Sequence, residues 1–147
     1  MKTFKFPAML IILFITSSIF AQQEIGKILS PSEAQKLFGN VTIEKEIPVS
    51  ILQNAVSKSA DNVSLNIVNN NLFVMSDSKI LSYPSTSSAP IPNVYYTFSK
   101  SMVQKFIDTN PAASTVKVQM RGSVLTIDNG AAILEFSMQC PPYCLSN

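Results

Sequence analysis

Two stretches of the chain carry the same pattern of apolar and polar residues. Val63, Leu65 and Ile67 alternate with polar residues, which is the two-residue period of a half-buried strand. The same apolar positions recur, without a gap, at a constant spacing of 53 residues. The matched pairs are Val63 with Val116, Leu65 with Val118, Ile67 with Met120, Leu72 with Leu125, Val74 with Ile127, Ile80 with Ile133, Leu81 with Leu134 and Tyr83 with Phe136. The pattern therefore predicts one group of strands that occurs twice.

Turn-forming residues divide each stretch into three predicted strands. Residues 69–71 and 76–78 favour turns in the first stretch, because Asn and Asp tolerate left-handed backbone and bond to it locally. Residues 121–122 and 128–130 favour turns in the second stretch, where Asn129-Gly130 is a strong hairpin signal. The predicted strands span residues 63–67, 72–75, 79–83, 116–120, 124–127 and 132–138.

A predicted helix and a short extended segment precede each group of strands. Apolar residues at 49, 52 and 56 recur at helical spacing just after Pro48, which suits a first helical turn. Apolar residues at 98, 102 and 106 predict the second helix, with Ser99 as its N-cap and an end before Pro111. The extended segments span residues 41–47 and 94–97, so that the predicted unit is β-α-β-β-β.

The fold expected from these patterns is α+β. It is a tandem duplication of the β-α-β-β-β unit that forms mainly antiparallel sheet with two packing helices. A short N-terminal helix is added, because Ser30 and Glu33 have capping-box spacing and Gly39 suits a helix end. The pseudo-repeats span about 41–83 and 94–138, with a linker at 84–93 and a Cys-containing tail at 139–147. The alternative is two unrelated meanders, since strand alternation is generic.

The first 21 residues have the pattern of a secretory signal peptide. Lys2 and Lys5 precede an apolar run, and Ala21 suits the position before a cleavage site. The alternative is a membrane anchor, but a spanning helix needs about 20 apolar residues, and this run is interrupted by three hydroxyl residues. We therefore expect a secreted or periplasmic protein whose mature part, residues 22–147, is one α+β domain.

Charge argues against nucleic acid and membrane partners. The formal net charge of +2 comes from Lys2 and Lys5, and nine basic and nine acidic residues follow Ala21. Binders of nucleic acid or anionic membrane need clustered Lys and Arg. The tandem topology resembles that of DNA sliding clamps, but a neutral exported chain does not suit their function.

The sequence indicates no catalytic or cofactor-binding group. His is absent, which removes the commonest general base and metal ligand. The four glycines are scattered and form no phosphate-binding loop. We therefore expect no enzyme, no cofactor and no metal site, and a partner that the sequence leaves unknown.

Two candidate sites remain near the end of the chain. Cys140 and Cys144 favour a disulfide in an exported protein, and the alternative is a thiol-redox or copper-handling pair. Tyr95 and Tyr96 form an aromatic cluster with Phe98 that favours core packing, and the alternative is a candidate binding surface on an edge strand. The function expected from these features is a non-enzymatic, exported binding or assembly module.

Overall fold

The computed structural model describes residues 24–77, 80–84 and 92–140. Within these ranges the chain forms three helices and ten strands. The helices are α1 (Pro31–Phe38), α2 (Val49–Lys58) and α3 (Lys100–Asp108). The strands are β1 (Lys27–Leu29), β2 (Ile43–Pro48), β3 (Asn62–Val68), β4 (Asn71–Ser76), β5 (Ile80–Tyr83), β6 (Tyr95–Ser99), β7 (Thr115–Arg121), β8 (Val124–Asp128), β9 (Ile133–Glu135) and β10 (Met138–Cys140). The α+β class is confirmed. The predicted signal peptide and most of the predicted linker lie outside the described residues.

The strands form two antiparallel sheets of five strands each. Sheet A has the order β1-β9-β8-β7-β2, and sheet B has the order β10-β6-β3-β4-β5. Strand β2 pairs with β7, and β6 pairs with β3. Each sheet therefore contains strands from both predicted units, an exchange that alternation along the chain does not reveal.

Strands β2 and β6, here called the exchanged strands, pair with the other unit in the same register. On β7, Val116 lies opposite Ile47 of β2, and on β3, Val63 lies opposite Phe98 of β6. These four side chains are all buried in the main core. The element order β2-α2-β3-β4-β5 is thus followed by β6-α3-β7-β8-β9 with matching strand pairs.

One apolar core joins both sheets to the two longer helices. It contains buried residues from α2, α3 and both exchanged strands, including Leu52, Phe98 and Phe106, which are fully buried. A second, small cluster lies under α1, where Ala34 packs with Ile133. Since strands of both units contribute to the main core, the units bury their apolar faces together.

A polar side chain at the end of a strand, or just after it, bonds to the last turn of each longer helix. Ser76 Oγ donates to the Ala55 carbonyl of α2 at 3.0 Å, and Asn129 Nδ2 donates to the Phe106 carbonyl of α3 at 2.9 Å. Each carbonyl also accepts from the backbone amide of the C-cap residue of its helix, so the side chain adds a further hydrogen bond at each helix end.

The hairpin turns place left-handed backbone at matching positions. Asn69 has φ of 50° and Gly122 has 62°, while Asp77 has 48° and Gly130 has 85°. Asn, Asp and Gly are the residues that adopt this conformation at least cost. The turn residues were therefore correctly identified from their chemistry.

The last predicted strand is wrong in one respect. Residues 132–138 were expected to form one strand, but they form β9 in sheet A and β10 in sheet B. Phe136 lies between them with φ of 60°, a left-handed conformation that interrupts an extended strand. The short β1 was not predicted, because three residues do not establish a period.

The helix ends are partly as predicted. Ser30 and Glu33 form the expected capping box on α1, and Gly39 follows its last residue. Ser99 stands at the N-cap of α3, but its side chain does not cap the helix. Its hydroxyl instead accepts a hydrogen bond of 2.6 Å from the Ile25 amide, which ties the start of sheet A to sheet B.

Candidate functional site

A cleft of about 800 Å³ lies beside strand β2, the last strand of sheet A. One wall consists of Lys45, Glu46 and Ile47. The other walls come from the β3–β4 hairpin of sheet B and from residues next to the predicted linker, including Val68 and Tyr83. The cleft therefore lies where the two sheets approach each other. Its volume falls in the range of small-ligand pockets.

The side of β2 that faces away from β7 is here called the open edge. The Val49 amide donates to the Ser114 carbonyl at 3.0 Å, and this pair continues the β2–β7 register. Antiparallel pairs alternate, so the amides of Lys45 and Ile47 also face β7. The amide and carbonyl groups of Glu44 and Glu46 consequently point out of the open edge. Within the described residues, no strand pairs there.

The side chains along β2 divide between two faces. Ile47 is buried in the main core, so Lys45 lies on the inner face, and Glu44 and Glu46 lie on the outer face. Glu46 is exposed. The acidic outer face could have been recognised in the sequence, because Glu44 and Glu46 alternate with Lys45 just before Pro48.

Neighbouring β7 holds the Glu44 carboxylate in place. Gln119 Nε2 donates to it at 2.9 Å, and Lys117 Nζ lies 3.0 Å away. These hydrogen bonds, led by that of Gln119, hold the pKa of Glu44 below its usual value. Glu44 is therefore ionised at neutral pH, and the ion pair with Lys117 offsets part of its negative charge.

The opposite wall of the cleft is rich in amide groups. Asn66 Nδ2 donates to the Val94 carbonyl, and its Oδ1 accepts from the Ile67 amide at 2.7 Å. Asn69 and Asn70 of the adjoining turn are exposed and line the cleft. Side-chain amides can donate and accept, so this wall can bind the backbone groups of a ligand.

The structure places the tyrosine pair on an interior strand. Tyr95 and Tyr96 lie on β6, between β10 and β3, and not on the edge strand that the alternative of a binding surface requires. The Tyr96 hydroxyl donates to the Ser123 carbonyl at 2.8 Å, and partial burial raises its pKa. Neither tyrosine lines the cleft. Their role in binding remains a prediction.

The two cysteines are described only in part. Cys140 is 3% exposed and lies opposite Tyr95 in the β10–β6 pair. Cys144 lies outside the described residues, so the disulfide remains a prediction. Burial disfavours a reactive thiol, because redox-active cysteines are accessible and lie near cations or helix N-termini.

A layer of buried polar groups lies between α1 and the outer face of sheet A. Arg121 is 6% exposed, and its Nη1 donates to Gln35 Oε1 at 3.0 Å and to the Gly39 carbonyl at 2.8 Å. Its Nη2 donates to Gln119 Oε1 at 3.1 Å. These bonds fasten α1 to the sheet, which is a structural role.

The described residues contain neither a candidate metal site nor a candidate membrane-spanning helix. No group of three or more Cys, Asp or Glu side chains is placed to hold a metal ion there. No helix in that part of the chain is long and apolar enough to cross a membrane.

Comparisons with known proteins give no match. No family model, no curated protein and no solved structure is significantly similar to this chain.

Proposed function

We propose that the chain is an exported, non-enzymatic module that binds a partner through the cleft beside β2. The observation that carries this proposal is the cleft itself, which is lined by exposed amides and by a strand edge that no other described strand covers. Such groups recognise a ligand by hydrogen bonding and need no titrating residue for chemistry. Its partner is an envelope or extracellular protein.

Export and cleavage near Ala21 are part of the same proposal. The support is the sequence pattern of residues 1–21, whose two lysines carry the whole net charge. The neutral mature chain suits a protein partner better than nucleic acid or anionic lipid.

We infer further that the two β-α-β-β-β units arose by tandem duplication. The spacing of 53 residues separates Val63 from Val116, and also Asn69 from Gly122 and Asp77 from Gly130. In the first pair both residues are buried, and in the other two both have positive φ. The β3–β4 and β7–β8 pairs also have matching registers, which supports duplication independently of the apolar alternation.

A structural disulfide between Cys140 and Cys144 completes the proposal, and the competing function is a thiol-redox or copper-handling pair. The burial of Cys140 at 3% exposure supports the structural role. A reduction potential below about −300 mV is expected for a structural bond. A higher potential, or binding of cuprous ion by the reduced protein, would favour the competing function.

The binding role is tested by retention of a partner from the native envelope or medium on immobilised mature protein. Val68, at the cleft, is 36% exposed, and Leu37, on α1, is 58% exposed. We expect Val68→Asp to abolish retention of a partner that Leu37→Asp retains fully. Equal retention by both variants, or no retention by the wild type, would contradict the proposal.

A further inference from the structure

Resting on that binding role, we propose that the open edge of β2 binds an extended segment of a partner protein as an added antiparallel strand. The segment carries Lys or Arg opposite Glu44 and Glu46 and apolar residues between them. This defines both the mode of binding and the chemistry of the partner.

The molecule already contains this contact at the corresponding place. Strand β10 adds antiparallel to β6, with Met138 opposite Thr97 and Cys140 opposite Tyr95. Strand β6 lies on β3 in the register that β2 has on β7. The side of β6 that β10 covers therefore corresponds to the open edge of β2. A short extended segment is thus accommodated next to this kind of strand.

The backbone of β2 supplies the hydrogen bonds. The Lys100 amide donates to the Asp61 carbonyl at 2.7 Å, just as the Val49 amide donates to the Ser114 carbonyl at 3.0 Å. The backbone amide and carbonyl groups of Glu44 and Glu46 therefore point out of the sheet edge, as those of Tyr95 and Thr97 do. Each offers one donor and one acceptor to an added strand.

The side chains of β2 determine which strand fits. In an antiparallel pair, residues directly opposite each other share one face of the sheet. An added strand therefore has one set of side chains beside Glu44 and Glu46, where basic residues gain favourable charge contacts. The alternate set lies on the inner face, beside Ile43, which is 42% exposed, Lys45, which is half-buried, and Ile47. Apolar side chains there cover Ile43.

A second copy of β2 does not suit this edge. Two copies paired antiparallel with the same faces outward, in registers centred on Glu44, Lys45 or Glu46, place at least one Glu directly opposite another Glu, which is repulsive. A register centred on Ile47 instead places Glu46 opposite Pro48, which has no amide to donate. The charged edge thus disfavours self-pairing, as edge charges commonly do. A basic strand of another protein removes this repulsion.

Calorimetric titration of the mature protein with blocked hexapeptides of alternating Lys and Val tests the proposal. The Lys residues face Glu44 and Glu46, so their amides point at β2, whereas the Val amides point away. N-methylation of the Lys amides should weaken binding about tenfold or more, since several hydrogen bonds are lost. N-methylation of the Val amides is the matched control and should leave the affinity unchanged.

Two variants of the protein test the same backbone and charge contacts on β2. Glu46→Pro removes an outward amide, and Glu46→Lys reverses a charge at the edge. Both should weaken binding of the Lys-Val peptide about tenfold. Asp108→Lys, which makes the same charge change on the exposed end of α3, should not. A peptide with Glu in place of Lys should bind the wild type more weakly than the Lys peptide.

Several results would overturn strand addition. They are no binding of the Lys-Val peptide, equal weakening by both N-methylated peptides, unchanged binding by Glu46→Pro, and self-association of the protein that Glu46→Pro abolishes. If one of these is found while Val68→Asp still abolishes partner retention, the binding role stands and only the strand mechanism fails. If partner retention fails as well, both proposals fail.

Discussion

Phe136 is the residue at which the chain leaves sheet A and enters sheet B. Its φ of 60° is costly for a residue with a bulky side chain. The residue is 47% exposed, its ring packs edge-on against Phe38 with centroids 5.6 Å apart, and Lys27 Nζ lies 5.7 Å from the ring centroid. These contacts offset part of the backbone cost and hold the turn between the sheets.

The backbone cost at Phe136 can be measured with two substitutions. Phe136→Ala and Phe136→Gly both remove the ring contacts, but only Gly relieves the left-handed strain. We expect Phe136→Gly to be about 1 kcal/mol more stable than Phe136→Ala in urea unfolding. In an ordinary strand position Gly is the less stable of the two. A more stable Ala variant would therefore show that position 136 is not left-handed.

Asp77 joins the β4–β5 turn to the loop after α2. Its carboxylate accepts from the amides of Ala60 at 2.6 Å, Asp61 at 3.1 Å and Asn62 at 2.8 Å. Burial raises the pKa of Asp77, but these three hydrogen bonds lower it by more, so it lies below the usual value. The ionised carboxylate therefore stabilises the fold above the unfolded-state pKa of about 3.9, and this contribution is lost as the pH falls through the folded pKa.

Asp77→Asn tests this contribution and keeps the left-handed turn residue. We expect the variant to lose about 1–3 kcal/mol of unfolding free energy at neutral pH. The difference from wild type should shrink as the pH falls, because the wild-type carboxyl then becomes protonated. Urea unfolding across the acid range gives both values. Asp61→Asn is the control for the loss of one charge, and a difference that does not vary with pH would contradict the account.

At the scale of elements, the four sheet edges differ in their protection. The edge strands β1 and β10 have three residues each, and β5 has four. Strand β2 has six residues, and it carries charged side chains. Short length and charge are two ways in which proteins protect edges from unwanted pairing. The open edge of β2 is therefore the longest, and its charge selects among partners.

Proline substitution distinguishes an open strand edge from a covered one. Glu46→Pro removes an amide that points out of the sheet, so we expect a loss of about 1 kcal/mol or less. Thr97→Pro, at the corresponding place on β6, removes a bond to β10 and should cost about 2–3 kcal/mol or more. Chemical denaturation of the two variants makes the comparison. Similar losses would mean that the Glu46 amide is already bonded.

Elements with a clear period or distinctive turn residues were predictable from the sequence, and the strand pairings were not. The strands that begin at Asn62 and Thr115 follow from alternation, and the turn at Asn69 follows from its residue type. Strands β2 and β7 are far apart in the sequence, and local alternation of apolar residues does not show which distant strands pair. The Glu44–Glu46 edge was visible as charged residues, but its exposure depends on which strand lies beside it.

At the scale of the whole molecule, the exchange of strands makes the two units depend on each other. Strand β2 has its only paired neighbour among the described strands in β7, and the main core takes residues from both units. A separated unit would lose this pairing and expose the faces that the other unit covers. Folding should therefore be a single cooperative transition.

Separate expression of residues 22–83 and 94–147 tests this dependence. We expect neither half to melt cooperatively by circular dichroism, and an equimolar mixture to regain a cooperative transition. Each half lacks the partner for its exchanged strand, which is the physical reason. A cooperative melt of either half alone, at concentrations where it is monomeric, would show that the units are independent.

The open edge of β2 is tested most directly by comparing backbone amide hydrogen exchange on β2 and on β6. We expect the amides of Glu44 and Glu46 to exchange rapidly in the free protein, and those of Tyr95 and Thr97 to be protected by β10. The alternating Lys-Val peptide should then slow exchange at Glu44 and Glu46 alone. Protection of Glu44 and Glu46 equal to that of Tyr95 and Thr97 in the free protein would contradict an open edge on β2.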